Sequence, residues 1–264
     1  EQSVSIVHDS VYMGRHQLAR VPFMDLERVE VLRGPQSILF GKNTIGGVIS
    51  VVTAKPTDEF EGFVSALYGW EEDEKEINAV VSGPLTEKLN GRLSYRGYET
   101  DGYIENVITG EDGPAQDDWT LRGQLDWEAG DNIQVNFKYE KSEFETGQQA
   151  TQVGVFNALT PAAAALLGLN EALVGGPERY DDERAVVNDG GVALAALDPS
   201  FVGIPGFPDS EDGAETRVDL ATLHIDWMLG EHTLTSITGY VQYNSQIVCD
   251  CDFSALPMIA EENR

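Results

Sequence analysis

The clearest pattern along the chain is a two-residue alternation of apolar and polar side chains after residue 60. In the segment 132–141, every second position is apolar: Ile133, Val135, Phe137 and Tyr139. Because successive strand residues point to opposite faces, each such segment predicts a β-strand with one apolar face. The same reasoning predicts seven strands in all: 61–70, 76–84, 89–98, 119–127, 132–141, 221–229 and 235–245, the last with Ile237, Val241 and Tyr243 on its apolar face.

Two features of these segments favour a transmembrane barrel over a soluble sheet. Short links at 84–91, 128–132 and 229–232 alternate with long links at 99–117 and 146–215. Transmembrane barrels have short periplasmic turns and longer extracellular loops. Aromatic residues also lie near strand ends on the apolar faces, as in the girdles of such barrels, although the general β-propensity of aromatics is an alternative explanation. These residues are Trp70, Trp119, Trp127, Tyr139, Trp227 and Tyr243.

Charge and hydropathy remove two other classes of protein. The net charge of −28 argues against nucleic-acid binding, which needs clustered Lys and Arg. A solvated acidic surface explains this charge, and attraction of cationic ligands or divalent ions to acidic loops is the alternative. No apolar run reaches the roughly 18 residues of a transmembrane helix, so a helical span is excluded.

Cysteine and histidine spacings predict no metal site. Cys249 and Cys251 are too few to hold a metal and have no histidine nearby. They are either two loop thiols or a strained disulfide across one residue. The histidines lack metal-ligand spacing and are expected to be structural or exposed: His8, His16, His224 and His232.

The long link 146–215 contains one predicted helix. Thr160-Pro161 precedes an Ala/Leu-rich run that reaches Val174, and Gly175-Gly176 follows it. Thr as N-cap, Pro at the first helical position and Gly beyond the end together predict a short helix. This helix is either a surface feature or part of the cover of a ligand mouth.

Residues 25–56 form a different kind of unit, which depends on glycine and proline. A β-prone segment from Arg28 to Arg33 ends at Gly34-Pro35, because proline keeps the preceding residue out of the helical region. A helical turn at 36–40 ends at Gly41. Gly46-Gly47 then permit close backbone approach before a buried strand at 48–53. No nucleophile–base pair accompanies this unit, and no catalytic constellation is recognisable elsewhere, so an enzyme is not expected.

This stretch, DLERVEVLRGPQSILFGKNTIGGVISVVTAKP, resembles the plug domain of TonB-dependent receptors. The matching positions are Asp25–Arg28, Glu30–Gln36, Phe40, Gly41, Gly46–Ile49, Thr53 and Pro56. Upstream, Val4–Arg15 resembles the family's strand–turn–strand hairpin, but Ser10 stands where the family usually has glycine. Because serine tolerates positive φ poorly, this substitution bears on the turn type.

The resemblance implies a plug, an α+β unit with a small mixed sheet, inside a transmembrane antiparallel β-barrel of about 22 strands. Only the first seven or so strands of that barrel would be in this chain. Residues 1–56 would be the C-terminal part of the plug, and 57–264 the N-terminal part of the barrel with the extracellular loop 146–215. Seven strands cannot close a barrel, so the chain alone is not expected to transport.

The function implied by the resemblance is TonB-dependent active transport across the Gram-negative outer membrane, with a ferric siderophore as the expected cargo. Vitamin B12, haem, a saccharide or another organic compound is the alternative, and a passive porin is a weaker one. TonB, with ExbB and ExbD, would act through a TonB box missing from this chain. Lipid and lipopolysaccharide would surround the barrel, and no cofactor is implied.

Residue roles follow in the same way. Gly34, Pro35, Gly41, Gly46 and Gly47 would shape the plug motif. The charged residues of this motif are expected to contact the barrel wall, because buried charges fix a position without forming a dry interface: Arg28, Glu30 and Arg33. The alternative is that they pair with each other or with solvent. Ligand contacts would come from plug apices and from loops 99–117 and 146–215, without named side chains.

Overall fold

The computed structural model of the chain describes residues 3–14, 23–71, 73–106, 112–147, 185–186, 213–250 and 260–263. Within these residues the strands form a four-stranded sheet, an eight-stranded sheet and a short three-stranded sheet. We call the first two the small sheet and the large sheet. The helix predicted at 160–174, His16 and Cys251 lie outside the described residues.

The small sheet is mixed and has the order β2-β1-β4-β3. Its elements are β1 (Val4–His8), β2 (Val11–Met13), β3 (Leu26–Arg33), helix α1 (Ser37–Phe40) and β4 (Gly47–Thr53). β1 pairs antiparallel with β2 and parallel with β4, and β3 pairs antiparallel with β4. The predicted strands at 28–33 and 48–53 and the helical turn between them are therefore confirmed.

No helix in the described part of the chain is long and apolar enough to cross a lipid bilayer.

The single turn of α1 follows from its position between two chain reversals. Gly41 ends it, and the Gly41 N–H donates to the Ser37 carbonyl at 3.1 Å.

Eleven further strands follow in chain order: β5 (Glu61–Gly69), β6 (Glu74–Thr86), β7 (Leu89–Thr100), β8 (Ile104–Asn106), β9 (Asp112–Gly113), β10 (Gln116–Gly130), β11 (Ile133–Gly147), β12 (Ala185–Val186), β13 (Gly213–Leu229), β14 (His232–Asp250) and β15 (Ala260–Asn263). β8, β9 and β12 form the three-stranded sheet. The other eight form the large sheet in the order β15-β14-β13-β11-β10-β7-β6-β5, with every neighbouring pair antiparallel. All seven strands predicted from the alternation are present, and β15 adds a short eighth.

The large sheet is polar on its covered face and apolar on its open face. The covered face lies against the small sheet, and most of its buried residues are polar or charged: Ser82, Arg92, Ser94, Thr120, Arg122, Gln124, Lys138, Glu140, Ser142 and Thr222. The alternate residues are large, apolar and exposed: Leu93, Leu121, Leu125, Trp127, Phe137, Tyr139, Leu223 and Trp227. A soluble sheet would bury its apolar face, whereas a barrel wall in lipid turns that face outward.

Strand β14 departs from this rule and corrects one prediction. Val241 lies opposite Leu220, and Tyr243 lies opposite Val218. Directly opposed residues share a face, so both side chains point towards the small sheet. Placing Tyr243 in an outward aromatic girdle was therefore wrong. The physical reason is that the β1–β2 hairpin presents apolar side chains at this point, and the part of the large sheet that faces the hairpin is apolar as well.

Candidate functional site between the two sheets

The contact between the small and large sheets contains a buried ion pair between Asp25 and Arg92. Asp25 precedes β3 with φ 50, and its carbonyl accepts a hydrogen bond from Ala54 N–H at 3.0 Å. This local geometry turns the carboxylate towards the large sheet. Arg92 Nε and Nη2 donate to its two oxygens at 2.8 and 2.5 Å, and the Ser94 hydroxyl donates to it as well. The two charged side chains are only 3% and 7% exposed.

Bidentate geometry makes this pair both strong and specific in orientation. Burial acts to raise the pKa of Asp25, but the hydrogen bonds from Arg92 and Ser94 lower it below its ordinary value. Arg92 Nη1 also donates to Glu61 at 2.8 Å. One guanidinium thus joins the small sheet to β7 and β5.

Arg122 on β10 makes a second contact with the small sheet. Its side chain is fully buried, and its Nε donates to Glu140 on β11 at 2.6 Å. Its Nη1 donates to the Met24 carbonyl at 2.9 Å and to the Asp25 carbonyl at 3.3 Å. Glu140 balances the charge, so the guanidinium can bind the backbone ahead of β3 without an acidic partner there.

A third contact joins Lys138 on β11 to the turn between β1 and β2. The turn residues Asp9 and Ser10 have φ 44 and 68, which is the pattern of a type I′ turn. Serine therefore keeps the turn geometry despite its cost at positive φ. The Asp9 carboxylate accepts hydrogen bonds from Thr53 N–H at 2.9 Å and Thr53 Oγ1 at 2.8 Å, and it pairs with Lys138. Gln124 donates to Thr53 Oγ1 at 3.1 Å and extends this contact to β10.

His8 is buried beside this pair as a neutral imidazole. Lys138 Nζ lies 2.9 Å from His8 Nδ1, so Nδ1 acts as the acceptor. Burial, and then the Lys138 charge, lower the pKa of His8 to about 4. Burial acts to raise the pKa of Asp9, but the Lys138 ammonium prevails and lowers it to about 2. At neutral pH the His8 ring is therefore uncharged and the Asp9 carboxyl group is ionised.

An apolar contact lies beyond these polar ones. Met13 on the small sheet packs against three buried residues of the large sheet: Phe144, Val218 and Leu220. Partly buried hydrophobic residues surround this cluster: Ile6, Val11, Val241 and Tyr243. Gly239 lets the hairpin approach β14, because a Cβ there would lie 2.6 Å from Val11 Cγ2. The interface thus has a polar part around Asp25 and Asp9 and an apolar part around Met13.

Two of the charged residues predicted to contact the wall, Arg28 and Glu30, border a cleft that faces the large sheet, and Arg33 lies on the opposite face of β3. Arg28 donates to Glu27 at 2.5 Å and to Glu30 at 2.6 Å, and all three are exposed. Arg33 is exposed too. Glu27, Arg28 and Glu30 border a cleft of about 670 Å³ that Asp126, His224 and Asp226 border from the wall. Direct contact of Arg28, Glu30 and Arg33 with a barrel wall stays a prediction.

The predicted glycines and proline shape the turn between β3 and β4. Gly34 N–H donates to the Gly46 carbonyl at 3.3 Å, and Gln36 N–H after Pro35 donates to the Thr44 carbonyl at 3.1 Å. Gly47 has φ 142, and a Cβ on it would lie 2.4 Å from the Leu32 carbonyl oxygen. No side chain fits at Gly47, so this close pairing of β3 with β4 needs glycine.

Sequence reasoning missed the residues that join the sheets. Asp9, Asp25, Arg92, Arg122 and Lys138 were visible as charges on polar strand faces or at turns. Their pairing was not visible, because the partners are 67 to 129 positions apart in the chain. A charged residue in the middle of a polar face flanked by Ser and Thr was the available signal.

Carboxylate oxygens of three residues at the far end of β11 and β13 lie within 4.8 Å of one another: Glu143, Glu145 and Glu215. Arg217 pairs with Glu143 at 2.8 Å and also with Glu215. The guanidinium therefore supplies positive charge that a cation would otherwise bring.

The comparisons with known proteins agree with this architecture. The TonB-dependent receptor plug domain family matches residues 1–48. The ferric enterobactin receptor PirA of Pseudomonas aeruginosa is 32% identical over 134 residues, which are 45% of this chain and 18% of that receptor. The vitamin B12 transporter BtuB of Vibrio vulnificus is 27% identical over 148 residues, or 55% of this chain and 24% of that protein.

A solved structure matches nearly the whole chain. The ferric yersiniabactin uptake receptor FyuA from Yersinia pestis superposes with a TM-score of 0.69 at 20% identity, over 93% of this chain and 33% of that receptor. The chain thus spans about a third of that solved receptor and less than a quarter of the two sequence relatives above. With a plug-family match in the small sheet and the receptor fold in the large sheet, the chain is similar to part of a TonB-dependent outer-membrane receptor.

Proposed function

We propose that the receptor to which this chain belongs imports a ferric siderophore across the outer membrane, with energy delivered by TonB. The small sheet is the part of the plug that blocks the pore. TonB, with ExbB and ExbD, acts through a TonB box outside this chain. The protein is a transporter rather than an enzyme.

The observation that carries this proposal is the composition of the contact between plug and wall. Asp25–Arg92, Arg122 with the Met24 carbonyl, and Asp9–Lys138 fix the plug through directional polar bonds. Such bonds can be exchanged for bonds to water when the plug moves, whereas a dry hydrophobic interface would resist separation along its whole area. A plug that must block the pore and also move needs this kind of contact.

The siderophore assignment draws on the names of similar receptors. The relatives include receptors for ferric enterobactin and ferripyoverdine, and the similar solved structures include one for ferric yersiniabactin. We assign residues 1–56 to the plug and 57–264 to the barrel, with the ligand bound by plug apices and by loops 99–117 and 146–215. Arg28, Glu30 and Arg33 are proposed to contact the barrel wall.

Vitamin B12 is the second candidate cargo. The match to the B12 transporter covers 55% of this chain, whereas the match to the enterobactin receptor covers 45%. The higher identity of the latter, 32% against 27%, favours the siderophore.

Uptake by cells that produce the full-length receptor tests both cargoes. Iron-starved cells with and without the receptor are given radioactive iron bound to a siderophore, and parallel cultures are given radioactive cyanocobalamin. Both sets are repeated with TonB inactivated. We expect iron uptake that needs both the receptor and TonB. Receptor-dependent B12 uptake in place of iron uptake would move the cargo to the second candidate, and uptake independent of TonB would refute the energised mechanism.

A further inference from the structure

The outward face of the large sheet contains an apolar groove with a floor of bare backbone. Gly83 and Gly91 are direct partners on β6 and β7, and Gly123 on β10 lies opposite Leu93 and Tyr139. A Cβ added to Gly123 would meet nothing within 4 Å. Large side chains stand around these positions and bound a volume of about 540 Å³: Phe60, Leu85, Leu93, Leu125, Phe137 and Tyr139. This volume lies within the range of pockets that hold small molecules.

The groove is apolar because the polar residues that border it turn their side chains the other way. Arg92 is bonded to Asp25, Gln124 to Thr53, and Ser82 to Thr57, all on the small-sheet side. The rim residues are between two-fifths and four-fifths exposed on the outer face. An occupant would therefore meet methyl, methylene and ring carbons, without a charged group.

The height of the groove places it in one leaflet of the membrane. Gly123 precedes Trp127 by four residues, and Trp127 lies opposite Leu89 beside the two-residue link between β6 and β7. Short links mark the periplasmic end of a transmembrane barrel. Four residues at about 3.3 Å each, on a strand tilted by about 40°, raise Gly123 roughly 10 Å above that end. In an apolar band about 25 Å tall, this is the periplasmic half.

We propose that this groove binds an acyl chain of a glycerophospholipid from the inner leaflet of the outer membrane. The face that contains the groove is the lipid-facing surface of the receptor, so the occupant comes from the lipid already in contact with it. A flat wall offers an acyl chain contacts on one side. The glycine floor and raised rim surround the chain on several sides, which buries more of its methylene groups and retains it.

The test uses two substitutions in the full-length receptor, purified from outer membranes. Gly123→Leu fills the open part of the floor, and the space at its Cβ means that the strand tolerates it. Thr238→Leu is the matched control, because it adds the same side chain to the outward face of β14, opposite Leu223 and away from the groove. Heat-modifiable gel mobility checks that each variant has a folded barrel.

Native mass spectrometry then measures which lipids remain bound to each protein. We expect the unaltered receptor and the Thr238→Leu control to retain one glycerophospholipid. Gly123→Leu should lower its apparent affinity by about tenfold, which corresponds to losing contact with about two methylene groups. Equal retention by Gly123→Leu and the control would overturn the proposal. Retention of lipopolysaccharide instead of a phospholipid at this groove would overturn the assignment to the inner leaflet.

Discussion

At the scale of single residues, the small sheet is held to the large sheet by a few buried charges that are paired with opposite charges. Asp25 accepts three side-chain hydrogen bonds, and Arg122 is neutralised by Glu140 before it binds plug backbone. Buried ions are costly when unpaired and nearly neutral when paired, so these contacts add little stability but specify one position of the plug. Removing one partner should therefore cost far more free energy than the intact pair contributes to stability.

Replacing Arg92 by methionine should therefore weaken docking of the plug. Asp25 would stay buried without its cation, at a cost of about 3–5 kcal/mol. Hydrogen-exchange protection of the β3 and β4 amides in the full-length receptor measures this local loss. Arg217→Met is the control, since it breaks a pair of similar length, with Glu143, that is exposed to solvent. Equal loss of protection in the two variants would contradict this account of Asp25.

His8 should make docking of the plug weaker in acid. Its pKa is about 4 in the folded protein against an ordinary value of 6.5, so the unfolded chain binds the proton first as pH falls. The stabilisation is complete above about pH 6.5 and is lost progressively towards pH 4, by roughly 3 kcal/mol in total. Asp9, with a pKa of about 2, starts to lose its contribution only below about pH 4.

Protection factors of the β1 amides between pH 7 and pH 4 measure this loss. In the His8→Gln variant these protection factors should change little across that range, because the glutamine side chain does not titrate. Lys138, Glu140 and Arg122 face residue 8 in both proteins, so any contribution from them is common to the two and does not distinguish them. A variant with the same slope as the unaltered receptor would show that another group causes the effect.

At the scale of elements, the register of β14 and the β1–β2 hairpin are matched to each other. The hairpin contributes Ile6, Val11 and Met13 to an apolar contact, and the large sheet contributes Val218, Leu220 and Val241. Elsewhere the plug meets the polar side of the wall. The strand pattern alone suggests that the covered face of the large sheet is polar throughout. Its polarity in fact changes with the part of the small sheet that lies against it.

The contact of Val11 with Gly239 should behave as a steric fit. Gly239→Ala places a methyl group within 2.6 Å of Val11, so the hairpin must shift, at a cost of about 1–3 kcal/mol. Protection of the β1 and β2 amides measures the shift. Val11→Ala in the same protein should recover most of the loss, because it clears the space again. Independent, additive effects of the two substitutions would rule out the fit.

At the scale of the whole molecule, the described strands form a large open sheet with the small sheet against its polar face. β5 and β15 are the outer strands of the large sheet. Arg28, Glu30 and Arg33 are exposed on the small sheet, with Arg33 on the opposite face of β3 from the other two. In a complete barrel further strands would surround the small sheet, and we expect Arg33 to contact them.

Arg33→Ala in the full-length receptor should therefore weaken uptake more than ligand binding. Ligand binding depends on plug apices and loops, whereas uptake needs a plug that is correctly held and released. Binding of the ferric siderophore to intact cells and its TonB-dependent uptake are measured side by side. Lys88→Ala, at the exposed turn after β6, should change neither quantity. Equal loss of binding and uptake in Arg33→Ala would refute a role in plug–wall contact.

The sequence by itself determined the seven strands, which side chains share a face in each, and the strand–turn–strand unit at 25–56. These features are local, since alternation, Gly and Pro act on neighbouring residues. Tertiary structure decided that Asp25 meets Arg92, that Lys138 meets Asp9 and that Tyr243 points inward. Those contacts join distant parts of the chain, and their energies depend on burial, which no local pattern encodes. The sequence pattern around a charged residue on a polar strand face is the same whether water or a buried partner lies opposite that residue.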